Sequence, residues 1–250
     1  MSTPPTWVLL RGLMRDSRHW GGFPTTLRAA LPDVRLCLLD LPGNGPRHRE
    51  QSPATVPAMA EWVRAELRRQ GLTPPYRVFA MSLGAMVTVA WADAHPEEIE
   101  RAVLANTSLK PVSPFYQRLQ PAAWPLLLRM ALGNPTAREA EEGILKLTSN
   151  HPNQTRALLD DWTAWRLSHP VSRANALRQL LAAMRFSAPQ RAPKTRLLLL
   201  TGAQDRLVDT RCTEALAQAW QCEIAVHPTA GHDLPLDDSA WVAQRVSRWI

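Results

Sequence analysis

Three cysteines in 250 residues, Cys37, Cys212 and Cys222, are too few and odd in number for a disulfide framework, and none has metal-ligand spacing. Cys37 lies inside an apolar strand pattern and reads as a core residue. No apolar run approaches the roughly 18 residues of a membrane span. The start, MSTPPTW, runs straight into Val8-Leu9-Leu10 without the charged-then-apolar pattern of a secretory leader. The expectation is therefore a soluble, cytoplasmic protein with no stable membrane insertion. Internal repeats and low-complexity tracts are also lacking. So is a basic stripe interleaved with aromatics, and without it a nucleic-acid partner has no footprint.

The charge that is there is uneven. Of a formal net +7, residues 107–192 carry 11 Lys and Arg against 5 Asp and Glu, leaving 18 against 17 elsewhere. Arginine on solvated helix faces is one reading of this segment, and a basic lid that attracts anionic substrates or surfaces is the other.

An apolar content of 45% and a length of 250 residues fit one large α/β domain, with or without an insertion. Residues Thr6 to Leu10 read as a strand ending in Arg11-Gly12. A helix is expected over Ser17 to Leu31, then a strand over Val34 to Leu39 closed by the turn-rich Asp40-Leu41-Pro42-Gly43-Asn44-Gly45. Met59, Trp62, Val63 and Leu67 recur at helical spacing within Pro57 to Gln70. After the strand and helix of Tyr76 to Ala94 comes another strand, Arg101 to Ala105. Four strands alternating with three helices predict an α/β, doubly wound, mostly parallel sheet.

The alternation then stops. Four helices are expected in a row: Pro114 to Leu132, Thr136 to Thr148, Gln154 to Ser168 and Ser172 to Phe186. The sheet pattern resumes with a strand at Arg196 to Leu200, a helix at Thr210 to Trp220, a strand at Glu223 to Val226 and a last helix at Leu236 to Trp249. Residues 1–108 and 194–250 thus form the core, and 109–193 an inserted helical cap hinged at Pro111 to Pro114 and Ser187 to Pro193. Insertions in such folds collect over the carboxyl ends of the strands, where ligands bind.

The chemistry centres on Ala80-Met81-Ser82-Leu83-Gly84. A serine hydroxyl attacks a carbonyl only where a base reaches it and backbone N–H groups receive the oxyanion. A strained strand-to-helix corner meets both needs, provided that small residues stand two before and two after the serine. Ala80 and Gly84 do. An imidazole and an orienting carboxylate are then required, and in the order serine, acid, histidine they belong in loops after the last two strands. Those loops hold Gly202-Ala203-Gln204-Asp205-Arg206-Leu207-Val208 and Gly231-His232. Among rivals, Asp209 sits where a helix N-cap is expected, His227 ends an apolar strand, and Asp233 reads as a surface or capping neighbour. His19, His48, His95, His151 and His169 lack a glycine corner.

With these motifs in order, the chain resembles the α/β-hydrolase fold superfamily, in its capped, serine esterase-like form, over nearly its whole length. The resemblance assigns the acid to Asp205 through Gly-x-x-Asp-x-x-Val and the base to His232 through Gly-His. The loop from Asp40 to Gly45 is similar to the family's Asp-x-Pro-Gly-x-Gly. It also implies oxyanion donors at the Leu83 N–H and at the Leu13 N–H. This chain has Arg11-Gly12 where the family usually has His-Gly. Arg11 then either binds a substrate carboxylate or pairs with an acid such as Asp16 or Asp40. Trp124, Leu127, Trp162, Trp165 and Met184 of the cap either line an acyl pocket or form the cap's own core.

The implied activity is hydrolysis of small-molecule carboxylic esters, thioesters or lactones, without metal or organic cofactor. Ser82 argues against the alkyl-ester chemistry of epoxide hydrolases and haloalkane dehalogenases, which place aspartate at this corner. Two alternatives share the same residues. One is a carbon-carbon bond hydrolase or perhydrolase on an acidic substrate, and the other is a triad-bearing ligand receptor with little turnover.

Overall fold

The computed structural model describes residues 4–150 and 158–250. Six strands form one sheet in the order β2-β1-β3-β4-β5-β6, with every neighbouring pair parallel. They are β1 (Thr6–Leu10), β2 (Arg35–Leu39), β3 (Tyr76–Met81), β4 (Ile99–Ala105), β5 (Arg196–Gly202) and β6 (Glu223–His227). Parallel strands need crossover helices, so both faces of the inner strands are covered and their sequences run apolar without alternation. All five residues of β1 are buried, whereas most of edge strand β6 is not. Each fully buried Val or Leu of this kind contributes roughly 1.5–3 kcal/mol.

The crossover helices are α1 (Phe23–Ala30), α2 (Val56–Arg69) and α3 (Leu83–Ala94). Helix α2 presents Met59, Val63 and Leu67 to the core, and α3 is buried continuously from Leu83 to Val89. After β4 the chain runs through α4 (Phe115–Arg118), α5 (Trp124–Leu132), α6 (Ala137–Thr148), α7 (Leu159–Ser168) and α8 (Arg173–Arg185). Then come β5, α9 (Thr210–Trp220), β6, α10 (Leu234–Asp237) and α11 (Ser239–Trp249). Two core layers result. One joins α2, α3 and α9 to one sheet face, and the other joins α1 and α11 to the opposite face through Trp7, Phe23, Phe79 and Val246.

Three expected helices are each two pieces. The stretch from Ser17 is a short 3-10 turn to Trp20, then α1, because Gly21 takes φ 53° and ends the first piece. The stretch from Pro114 divides into α4 and α5 around Pro121, and the last helix divides at Asp238, whose carboxylate caps α11 through Trp241 N–H. Strand β4 begins at Ile99, two residues earlier than its apolar pattern suggests. The expected start of a helix at Gln154 and the break at His151-Pro152 lie outside the described residues.

The strand ends are in register along the carboxyl edge: Leu10 beside Ala80, Met81 beside Ala105, and Gly202 beside His227. The strand order reverses between β1 and β3, which opens a crevice at that edge. Helices α4, α6, α7 and α8 rest against its loops. Gln120 donates its side-chain amide to the Asp205 carbonyl at 2.6 Å, and Glu141 of α6 accepts from Arg15 at 2.7 Å and from Arg166 of α7 at 2.6 Å. The two ends of this helical stretch meet where Ala188 N–H donates to the Lys110 carbonyl at 2.6 Å.

Candidate active site

Ser82 occupies the corner between β3 and α3 with φ 50° and ψ −115°, a backbone conformation that few non-glycine residues adopt. It is held there from both sides. Its N–H donates to the Ala105 carbonyl at 2.9 Å, and its own carbonyl accepts from Ala85 and Met86 N–H at the start of α3 and from Thr107 Oγ1. The small residues that flank the corner are required by space. A β-carbon on Gly84 would stand 2.6 Å from the Leu10 carbonyl oxygen and 2.7 Å from that of Arg11. Ala80 is fully buried.

The loop after β1 lies against the serine. A β-carbon at Gly12 would come within 3.1 Å of Ser82 Cβ and 3.6 Å of its Oγ. Leu13 follows immediately, and among the described residues neither the Leu13 nor the Leu83 N–H donates to another protein group. Leu83 opens a 12-residue helix, so its amide adds the positive end of the helix dipole.

Asp205 and His232 meet on the loops after β5 and β6. His232 Nδ1 lies 2.7 Å from Asp205 Oδ2, with both side chains buried. The same carboxylate accepts from Leu207 N–H at 2.8 Å, Val208 N–H at 2.9 Å and Asn106 Nδ2 at 3.0 Å. Burial is the largest single effect and pushes the His232 imidazole toward a lower pKa, but the Asp205 charge, the hydrogen bond to Asp205 and the Asp233 charge together outweigh it, and the net shift is upward. The Ser82 hydroxyl makes no hydrogen bond to His232 or to any other described residue.

Asn106 is a site residue that the sequence did not single out. It follows β4 at φ 48°, a region that asparagine tolerates better than most residues, and its amide bridges Asp205 to the Gly231 carbonyl at 3.1 Å. The residue pattern Asn106-Thr107-Ser108 at a strand end was the available signal. Asp237 also supports the histidine loop, accepting from Gly231 N–H at 2.7 Å. Gly202 fits between the acid and histidine loops, where a β-carbon would stand 2.6 Å from the Gly231 carbonyl oxygen.

Arg11 is buried and its guanidinium grips Asp233 at 2.6 and 3.0 Å while stacking over Trp20 at 4.6 Å. Its partner is thus Asp233, neither Asp16 nor Asp40. Asp233 is correspondingly no surface group: it is 4% exposed, and Arg11 holds its carboxyl below the usual range against the opposing effect of burial. Asp16 instead accepts from Arg18 and caps the Ser17 turn, and Asp40 accepts from Ser17 N–H and Oγ.

Trp124, Trp162 and Trp165 are not gathered at one place. Trp162 is buried, its ring against His19 and under the Arg15 guanidinium at 4.4 Å. Trp165 meets the same His19 and lies under Arg18. Trp124 is 43% exposed and stacks on Phe115. Leu127 is half-buried and Met184 exposed. Two rivals are engaged elsewhere: Asp209 caps α9 through Arg211 N–H, and His227 Nδ1 accepts from Ala230 N–H at 2.9 Å while its Nε2 faces Asp238; His151 lies outside the described residues. Among the described residues no cluster of His, Cys, Asp and Glu could hold a metal ion, and no helix is long and apolar enough to cross a membrane.

An all-parallel sheet with a serine on the β3 corner and an Asp–His pair on the following loops defines a hydrolase of the α/β-hydrolase fold. A family model described as serine aminopeptidase, S33, matches residues 31–239, and the chain belongs to that family. No curated protein matches the chain. Among solved structures it is similar to a thermophilic esterase from Thermogutta terrifontis, at 22% identity and TM-score 0.76 over 100% of this chain and 90% of that one. An esterase from Rhodococcus sp. is similar at 20% identity and TM-score 0.76, over 98% and 90% of the two chains. So is a 2-hydroxy-6-oxo-6-phenylhexa-2,4-dienoate hydrolase from Rhodococcus sp., at 17% identity and TM-score 0.78 over 98% and 89%. At these identities the likeness is one of fold.

Proposed function

We propose that the chain is a serine hydrolase that cleaves carboxylic esters through an acyl-enzyme on Ser82. The observation that carries this reading is the 2.7 Å His232–Asp205 contact on loops adjoining a serine held at φ 50°, ψ −115°. His232 Nε2 takes the proton from Ser82 Oγ as the oxygen attacks the ester carbonyl. The carbonyl electrons move to oxygen, where the Leu13 and Leu83 N–H groups receive the charge. Collapse expels the alcohol, which leaves with the proton from His232. Water then attacks the acyl-enzyme with His232 as base, and the carboxylic acid and free Ser82 are released. Asp205 fixes the tautomer and stabilises the imidazolium.

The Ser82–His232 hydrogen bond belongs to the substrate complex, since such bonds are often long without one. Residues 109–193 serve as the cap over the site. Of the two features that would suit an acidic substrate, the basic cap and Arg11, the second is committed to Asp233. Hydrolysis of p-nitrophenyl esters from acetate to long chains, by the wild type and by Ser82→Ala in parallel, tests the reading. Turnover confined to the wild type supports it, and equal turnover by the two proteins would sink it. An Arg11→Gln variant that lost anionic esters selectively would restore the substrate-carboxylate role.

A further inference from the structure

We infer that Gln179, on the inserted helix α8, is a positioning residue for the loop that presents the Leu13 amide; the inference rests on the esterase reading above. The loop is a four-residue turn in which Arg15 N–H returns to the Gly12 carbonyl at 3.3 Å. Its third residue, Met14, has φ 54°. A positive φ at that place is the signature of a type II turn, which ordinarily has glycine or asparagine there. Methionine keeps such a conformation only where the surroundings hold it.

Gln179 supplies the hold. Its side chain is fully buried, and its Oε1 accepts the Met14 N–H at 2.9 Å. Its amide nitrogen donates to Asn44 Oδ1 at 2.8 Å and to Ser52 Oγ at 3.0 Å, so the acceptor is fixed in direction. Asn44 in turn donates to the Arg15 carbonyl at 3.1 Å, which clamps the turn from its other end. One turn earlier on the same face of α8, Asn175 accepts from Ser52 N–H at 2.9 Å and donates to the Glu50 carbonyl at 2.9 Å.

The helix therefore grips the turn and the loop from Pro42 to Ser52 together. Leu13 is the residue before Met14, and the direction of its N–H follows the turn. An oxyanion donor must be aimed within a fraction of an ångström to act. Docking of the inserted helix thus sets the competence of the oxyanion loop, although Gln179 touches no reacting atom.

The test combines three variants with p-nitrophenyl ester kinetics and the rate of Ser82 modification by a fluorophosphonate. Gln179→Met keeps the volume and removes the acceptor. Its kcat is expected to fall by about 10–100-fold with KM changed less than about 3-fold, and its fluorophosphonate reaction to slow in parallel. Adding Met14→Gly, which takes positive φ without steric cost, is expected to recover at least about 5-fold of the lost kcat. A role in stability alone would not produce that recovery. Gln179→Glu keeps an acceptor while losing both donors, and should stay within about 5-fold of wild-type kcat despite lower thermal stability. If Gln179→Met proves too unstable to assay, this variant decides the matter, because a folded Gln179→Glu protein with kcat reduced beyond 10-fold overturns the proposal. Wild-type kcat in Gln179→Met, or a loss that Met14→Gly does not lift, also overturns it. Failure of the esterase reading is distinguishable, since Ser82→Ala would then turn over ester like the wild type.

Discussion

Replacing Arg11 by methionine should be among the most damaging single changes in the chain outside the reacting groups. The side chains of Arg11 and Asp233 are 4% and 6% exposed, joined by two hydrogen bonds at 2.6 and 3.0 Å. Methionine retains the apolar stem against Trp20 but leaves the carboxylate buried without a partner. Removing one member of a buried pair costs about 3–5 kcal/mol. For a domain of this size that corresponds to a fall in Tm of roughly 6–20 °C. The pH dependence gives the sharper test. In the wild type the folded pKa of Asp233 lies below its unfolded value, so the stabilisation is present above the ordinary aspartate pKa and is lost as pH falls through the lowered one. In Arg11→Met burial is opposed only by the weaker Arg15 and His232 charges and raises that pKa, so the carboxyl binds a proton and the variant is penalised increasingly as pH rises. Urea unfolding at pH 5 and pH 8 is the assay. The deficit should be larger at pH 8, and adding Asp233→Asn should recover about 1–3 kcal/mol there and flatten the pH dependence. A deficit under about 1 kcal/mol at pH 8, or one that Asp233→Asn deepens, would refute the reasoning.

Other expectations follow from single contacts. The base must be neutral to act, so kcat/KM should rise with pH through the raised His232 pKa. Asp205→Asn removes the charge that raises it, and should move this acid limb to lower pH while lowering plateau kcat by about 10⁴-fold, as a pH–rate profile would show. Asp40 is pushed up to about 6 by burial, with the neighbouring Asp16 carboxylate adding to the effect. Its folded pKa exceeds its unfolded one, so its contribution is lost as pH rises from about 4 to about 6, and Asp40→Asn should gain on the wild type across that window and level off above it, by about 1–2 kcal/mol in urea unfolding at pH 8. Gly84→Ala would drive a β-carbon against the Leu10 and Arg11 carbonyls. A loss of about 1–3 kcal/mol in thermal unfolding, with reduced turnover, is expected.

Much of the candidate site was legible because its parts sit at strand ends, which apolar runs and glycine corners mark directly. Ser82, Asp205 and His232 each follow a strand by a few residues, and β1 and α9 have the boundaries that their patterns predict. Helix interruptions were less legible, since Gly21 and Asp238 break apolar periodicities that read as continuous. The Arg11–Asp233 pair joins residues 222 apart in sequence, and no local pattern couples them. Asn106 and Gln179 act through side-chain amides on loops far along the chain, and an amide's spacing carries no signal of its own. Charged and polar groups buried in this way are chosen by their partners, so only the folded chain reveals them.

The central claim is that Ser82 is the nucleophile. The most direct measurement is mass spectrometry of the wild type and Ser82→Ala after treatment with a fluorophosphonate, alongside p-nitrophenyl ester turnover by both. The account predicts one adduct per chain, on Ser82, and a turnover loss of at least about 10³-fold in the variant. An adduct on another residue, or turnover that persists in Ser82→Ala, would contradict it.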